Sequence, residues 1–324
     1  MRDQQSFADM EYANRKRKTK RDEFLRVMEE VIPWDEWVSV VGPYYPSGER
    51  GRPPRGIEIM LRMYLLANWF TLSDEGVEDA IYDSYAFRKF MKVDFVGEDQ
   101  VPDATTLCKF RKLMNDNGVT KLLFDTMNSF MERHGKIMHG GTIVDATIIE
   151  APTSTKNAKK ERDPKMHSVK KGKSWHFGAR MHVGVDAGTG YIHSMEMTAA
   201  NVSERELVPK LIRQDDDVVY GDAGYTGLSK RPEFRADPHL SKIEYRTNTR
   251  NRHHWPVKLP CFDWDRHIEY QKSRVRSKVE YVFLVIKRLF GYRRVRYRGM
   301  EKNQTHAYML GACANLYLLA QSGW

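Results

Sequence analysis

The sequence predicts an α/β protein, a mixed sheet flanked by helices with an all-helical region in front of it. Two observations predict this. Up to residue 134, apolar side chains recur at helical spacing in short segments opened by capping or turn residues. From Gly140-Gly141 onward, short β-branched runs alternate with helical segments.

Residues 1–20 read as a basic polar arm, running into RKRKTKR (15–21); it is either a solvated, frayed arm or one that touches phosphates. Residues 21–135 predict a helical N-terminal domain. DEFLRVMEEVI places Phe24, Leu25, Met28, Val31 and Ile32 on one stripe. GRPPRG (51–56) is a turn, and IEIMLRMYLLANWF, apolar on most faces, predicts a central helix. SDEGVEDAIYDSYAFRKFM opens with Ser73 as an N-cap and acids in the first turn, where they suit the helix dipole. PDATTLCKFRKLM opens the same way, with Leu107, Phe110, Leu113 and Met114 on one face. With Lys109, Arg111 and Lys112 exposed, these short helices fit either a helix-turn-helix-like DNA reader or a plain bundle.

Residues 136–324 predict the mixed sheet. TIVDATIIE (142–150) is a strand, and residues 156–175 read as a lysine-rich loop. FGARMHVGVDAGTGYIHSMEMT (177–198) is a hairpin about DAGTG. SERELVPKLIRQ is a helix capped by Ser203, and DVVYGDAGYTG (217–227) is a strand ending in a glycine-rich turn. LSKRPEF predicts a short helix and KIEYRTN a strand; residues 228–267 read as a short insertion, irregular over 247–267. A long helix runs from Ile268 to about Phe290.

The bulk composition bounds the function. With 324 residues and 41% hydrophobic side chains, a sizeable core is expected. The net charge of +10 favours a polyanionic partner, nucleic acid before membrane. Three widely spaced cysteines argue against a disulfide framework and suit a reducing cytosol. His253, His254, Cys261 and His267 fit no usual zinc spacing. No signal-peptide pattern opens the chain, and AYMLGACANLYLLA (307–320) is too short to span a bilayer, so it reads as a buried helix.

The chemistry concentrates in RVRSKVEYVFLVIKRLFGYRRVRYRG (274–299), a basic segment whose single acid is Glu280. On a helix, Arg276 and Lys287 fall within about 40° of Glu280. Val275, Val279, Val282, Ile286 and Leu289 form a separate apolar stripe. Alone, the polar face is an ordinary salt-bridge ladder. Two further acids change that. Asp145 sits inside an apolar strand, where burial without a partner is costly. Asp222 ends another apolar strand. Together Asp145, Asp222 and Glu280 make an oxygen-donor set suited to Mg2+ or Mn2+, and a pair of such ions can drive an in-line phosphoryl displacement. Arg276, Lys287, Arg288, Arg293, Arg294, Arg296 and Arg298 are expected to hold phosphates. Lys170, Lys171 and Lys173 beside Trp175 suit a DNA strand with one base stacked on the indole; alternatively the tryptophan tucks into the core. His176 and His182 read as structural, and Asp186 as a hairpin-turn residue.

Several stretches then carry a specific resemblance: VDATIIEAPTSTKN (144–157), RDPKMH (162–167), KKGKSWHFGARMHVGVDAGTG (170–190), DAGYTG (222–227) and VRSKVEYVFLVIKRLFGY (275–292). From residue 7 to residue 299 the sequence resembles transposases of the insertion-sequence-5 family, part of the DDE superfamily. The resemblance implies a ribonuclease-H-like core over 136–324, whose catalytic, metal-binding acids fall at Asp145, Asp222 and Glu280, and a DNA-binding role for 21–135. It implies two bound Mg2+ or Mn2+ ions. Its substrates would be double-stranded DNA, both terminal inverted repeats and target, cut by metal-assisted hydrolysis and joined through freed 3′-hydroxyls. It also implies a homodimer or larger synaptic assembly, off the membrane, in a bacterial, nucleoid-associated cytoplasmic setting. Around the glutamate, the family motif of tyrosine, arginine, glutamate and lysine is met by Arg276, Glu280 and Lys287, while Ser273 stands at the tyrosine position. Two other readings stay open: a non-catalytic DNA-binding regulator, or a metal-dependent nuclease that cuts without joining.

Overall fold

Short polar side chains stop and start the N-terminal helices. The computed structural model describes residues 12, 14–48, 53–95, 100–249 and 264–322. The first helices are α1 (Lys20–Val31), α2 (Trp34–Val41), α3 (Ile57–Trp69), α4 (Asp74–Asp83), α5 (Tyr85–Met91), α6 (Ala104–Asp116) and α7 (Val119–Arg133). The Thr19 hydroxyl accepts from Asp22 N at 3.1 Å, Ser73 from Gly76 N at 2.9 Å, and the Asp103 carboxylate from Thr106 N at 2.6 Å, each satisfying an orphan first-turn donor. Lys20 and Arg21, at the end of the basic stretch, are therefore helical, and the Arg21 guanidinium lies over Phe70 and Phe87.

Residues 73–91 form two helices, not one. Ser84 has an extended backbone, closes α4 and caps α5, so its side chain competes with helix continuation. α3 is buried at ten consecutive positions, Met60 to Trp69, as its apolar sequence predicts. The exception in kind is Arg62, fully buried yet satisfied by Glu29, Glu58, the Phe90 carbonyl and the face of Trp34. Arg111 is bound bidentately by Asp74 at 2.6 Å per arm, so it is not part of a free basic face.

The chain divides into two compact units, Met1–Val119 with Leu316–Trp324, and Thr120–Asn315. Helical structure continues to Arg133, but α7 groups with the second unit.

Among the described residues, the second unit is built on a six-stranded sheet: β1 (Gly141–Glu150), β2 (His167–Lys171), β3 (Ser174–Asp186), β4 (Ile192–Ala199), β5 (Val218–Gly221) and β6 (Glu244–Thr247). β3 runs antiparallel to β1, β2 and β4, whereas β1, β5 and β6 run parallel to one another. Three antiparallel strands continued by parallel ones are the mixed sheet expected of a ribonuclease-H-like core. The lysine-rich stretch 156–175 is partly strand, because β2 and the start of β3 form a hairpin about Gly172, φ 62°. Within 228–267, residues 250–263 lie outside the described residues, including His253, His254 and Cys261. Residues 244–247 belong to the sheet as β6.

Helices cover the sheet. α8 (Glu204–Leu211) packs Leu207, Val208 and Leu211 with Val144 and Val219. α9 (Pro232–Ala236) adds Phe234 to that core. α10 (Trp264–Leu284) passes over β1 and β5, and a π-helical turn, Val285–Leu289, continues it. The wider turn closes through Phe290 N to Val285 O and advances the helix phase. Val285, Ile286 and Phe290 therefore point inward, while Leu289, expected on the apolar stripe, is 42% exposed. α11 (Met300–Ser322) is buried over the stretch read as a core helix. Its Asn315 accepts from Ile192 N at 2.9 Å and donates to Ile192 O at 2.7 Å, pairing backbone groups of β4.

Candidate active site

β1 owes its position to the alternation of its side chains. Val144 faces the α8 core, so Asp145 turns to the face covered by α10. On the neighbouring parallel strand, Tyr220 pairs with Ile143. Two residues further along stand Asp222, just past the carboxyl end of β5 where open α/β sheets place their ligands, and Asp145, midway along the longer β1, which the register thus brings beside it.

Asp222 caps the turn Ala223–Tyr225, its Oδ1 accepting from Gly224 N at 2.7 Å. A Cβ at 224 would lie 2.7 Å from that same oxygen, so only glycine leaves the carboxylate where it is. Asp145 Oδ1 accepts from Ala146 N at 2.7 Å, and its Oδ2 lies 3.6 Å from Arg276 Nη1. Burial raises the Asp145 pKa to about 6; the charges of Asp222 and Glu204 push the same way, against Ala146 N–H and Arg276. Arg276 Nη2 also holds Glu280 Oε1 at 2.9 Å, with Glu280 largely exposed. One arginine thus bridges the first and third acids. Among the described residues no three His, Cys, Asp or Glu side chains are close enough to hold a metal ion; Arg276 joins Asp145 to Glu280, Asp222 neighbours Asp145, and the three acids do not form a closed ligand shell.

A fourth carboxylate, missed in the sequence, joins them. Glu204 opens α8, is paired with Arg180 at 3.1 Å, and is held above the usual carboxylate range by burial, with Asp222 adding to the effect and Arg180 opposing it. Its only sequence signal was an acid after the cap Ser203, which looks like ordinary dipole matching. Tyr225 of DAGYTG is fully buried beside the same acids; burial, then Glu204, Asp145 and Asp222, drive its phenol pKa well upward.

A basic cleft of about 840 Å³ adjoins the acids. Lys171, Lys287, Arg288, Arg293 and Arg294 line it, with Glu280 also on its wall. Lys287 Nζ donates to Thr147 Oγ1 and Ile148 O, both at 3.0 Å, so this cation is tied to β1 two and three residues beyond Asp145. Burial lowers the Lys287 pKa, and Lys171 and Arg293 lower it further. Residues 293–295 are stitched to the end of β1 by Glu150 N to Arg293 O at 3.0 Å and Val295 N to Glu150 O at 2.8 Å. Lys170, Lys173, Trp175, Arg296 and Arg298 are exposed and do not line the cleft. Trp175, opposite Lys170 in the hairpin, is 70% exposed, which rules out the core alternative. Arg298 lies 3.8 Å from Glu161.

Asp186 and His182 are structural, as read. Asp186 is buried and accepts from Thr189 N and Oγ1 and from Arg213. Burial depresses the His182 pKa to about 3, so its ring is neutral, bonded to Thr198 Oγ1 at 2.8 Å.

The model of the Transposase DDE domain matches residues 137–316. This chain belongs to the DDE transposase family. A second model, described as a Transposase domain, matches residues 13–113 of this DDE family member. Its insertion-sequence-5 assignment remains the resemblance described above. A solved piggyBac transposase synaptic complex with hairpin DNA is similar over 93% of this chain and 74% of that chain, at 11% identity and a TM-score of 0.44.

Proposed function

We propose that this DDE transposase binds the terminal inverted repeats of its own element, hydrolyses the DNA at their ends and joins the freed 3′-hydroxyls to target DNA. The observation that carries this is the placement of Asp145 and Asp222 in step on adjacent parallel strands, with Arg276–Glu280 above them and a basic cleft beside them. In hydrolysis water attacks phosphorus, the O3′–P bond breaks and a 3′-hydroxyl is left. In joining that hydroxyl attacks a target phosphodiester and a target 3′-hydroxyl leaves.

The donor set fits a hard divalent cation. Asp145 carries a pKa near 6 because burial and two neighbouring carboxylates oppose its charge, and a cation there would relieve that opposition. Asp145, Asp222 and Glu280 would hold Mg2+ or Mn2+, in our reading two ions, once Glu280 exchanges Arg276 for the metal. Bound there, the ions would supply a nucleophile and charge neutralisation at phosphorus. Lys171, Lys287, Arg288, Arg293 and Arg294 hold the phosphodiester chain, while Lys170, Lys173 and Trp175 reach it from the hairpin, with Arg296 and Arg298 beyond. The helices of the first unit supply further DNA contacts, and two ends handled together require a dimer or larger assembly.

The test is cleavage of a plasmid carrying the element and its native flanks in Mg2+, by wild type and by Glu280→Gln. Wild-type cutting at the ends, with a mutant that binds but does not cut, is expected. Binding without cutting by both proteins would favour a regulator. Cutting without transfer of labelled 3′ ends to a second plasmid would favour a nuclease.

A further inference from the structure

The face of α10 that carries Arg276 and Glu280 begins with another acid. Glu269 precedes Glu280 by three turns and falls within about 20° of it around the helix. Unlike Glu280 it is 8% exposed and fully engaged. Its carboxylate accepts from Asn248 Nδ2 at 3.1 Å, Thr249 N at 3.1 Å and Lys272 Nζ at 2.8 Å. Lys272 Nζ also donates to Thr247 O at 3.2 Å, and Asn248 Nδ2 to Ser273 Oγ at 3.2 Å. Asn248 N in turn donates to Gly221 O at 3.3 Å, on the residue immediately before Asp222. A continuous chain of hydrogen bonds therefore joins the helix bearing Glu280 to the strand end bearing Asp222.

The rest of that helix face is anchored in the same direction. Arg276 meets Asp145, and Lys287 meets Thr147 and Ile148. Without the clamp at 269, the N-terminal half of α10 would lose its polar tie to β6, and the helix could slide or rotate over the strand ends. Ser273 takes on a role here as well. Its hydroxyl accepts from the Asn248 amide and closes the clamp.

We infer that Glu269, with Lys272 and Asn248, is a positioning element that sets the height of Glu280 relative to Asp145 and Asp222, and with it the geometry of the metal-binding acids. This rests on the reading of those three acids as the catalytic set. The test compares wild type, Glu269→Gln, Lys272→Gln and Glu280→Gln by Mn2+ binding followed by electron paramagnetic resonance without DNA, by DNA-end affinity, and by end cleavage across a Mg2+ titration. Glu269→Gln is expected to weaken Mn2+ binding and slow cleavage by about 10- to 100-fold, the range for outer partners of metal ligands. DNA affinity should stay within about threefold, since the clamp touches no cleft cation. Lys272→Gln, at a half-buried position, should shift metal binding in the same direction by less, and it decides the matter if Glu269→Gln fails to fold. Wild-type metal binding and cleavage in both clamp variants, beside an inactive Glu280→Gln, would overturn the inference and leave the site reading intact. Full activity of Glu280→Gln would overturn the site reading and the inference with it.

Discussion

The amino end of β1 and its middle both gather acids, and they treat them in opposite ways. At the amino end, Asp186 and Asp216 share Arg213, whose Nη2 lies 3.1 and 3.2 Å from them. Asp186 also accepts from Thr189, and Asp216 from Arg213 N at 2.8 Å and from the Thr142 hydroxyl. Midway along β1, Asp145, Asp222 and Glu204 oppose one another's charge; Arg180 meets Glu204 at 3.1 Å, but Arg276 reaches only to 3.6 Å from Asp145. A buried carboxylate with its own arginine and donors has its charge satisfied by the fold, and removing the partner is costly. A group of carboxylates short of positive charge costs stability and survives where a ligand is to supply what is missing. The contrast separates scaffold from chemistry within one sheet.

The largest effect that could break this contrast is at the satisfied end. Arg213→Met leaves Asp186 and Asp216 buried without their cation and should cost about 3–5 kcal/mol in urea unfolding, as broken buried pairs do. A loss below about 1 kcal/mol, the scale of an exposed pair, would mean that the amino-end acids are no better satisfied than the others.

At the unsatisfied end the sign should reverse. Asp145 has a folded pKa near 6 against 3.8 as a model group, so the folded protein holds its proton more tightly than the unfolded chain. Metal-free stability is then highest below pH 3.8 for this group and falls as pH rises toward 6. Asp145→Asn should stabilise the metal-free protein at pH 8 by up to about 3 kcal/mol, with the gain fading at acid pH. Thermal unfolding in chelator at both pH values checks it, and destabilisation at pH 8 would contradict the proposed crowding.

The smallest effect concerns the edge of the cleft. Trp175→Ala should weaken binding to DNA with an unpaired terminus by about 1–3 kcal/mol while changing the salt dependence little, because stacking releases no counterions. Equal loss on fully paired DNA would assign the indole to another contact.

Much of this was legible in the sequence, for reasons that can be given residue by residue. The switch at Gly140-Gly141 from helical to alternating apolar spacing marked where the sheet begins, because strand and helix periods differ. Asp145 stood out because an acid mid-strand, among Ile143, Val144, Ala146 and Thr147, needs a physical reason. Three features were hidden. Ser84 divides one apparent helix in two, since a serine that caps looks locally like one that continues. The π-turn at Val285–Leu289 shifts helix phase by tertiary packing, which ideal periodicity cannot register. Glu204 and Glu269 look like surface acids in the sequence, and only the packing of α8 and α10 against the strand ends half-buries the first and buries the second.

The central claim is that the acids around Asp145 and the end of β5 do the chemistry while those at the amino end of β1 hold the fold. The most direct measurement is Mg2+-dependent cleavage of the element's ends by Asp145→Asn and Asp186→Asn, both at a temperature where circular dichroism shows them folded. The account predicts loss of cleavage on the order of 10⁴-fold for Asp145→Asn and a rate within about threefold of wild type for folded Asp186→Asn. Comparable cleavage by the two variants, or loss of it only in Asp186→Asn, would contradict the account.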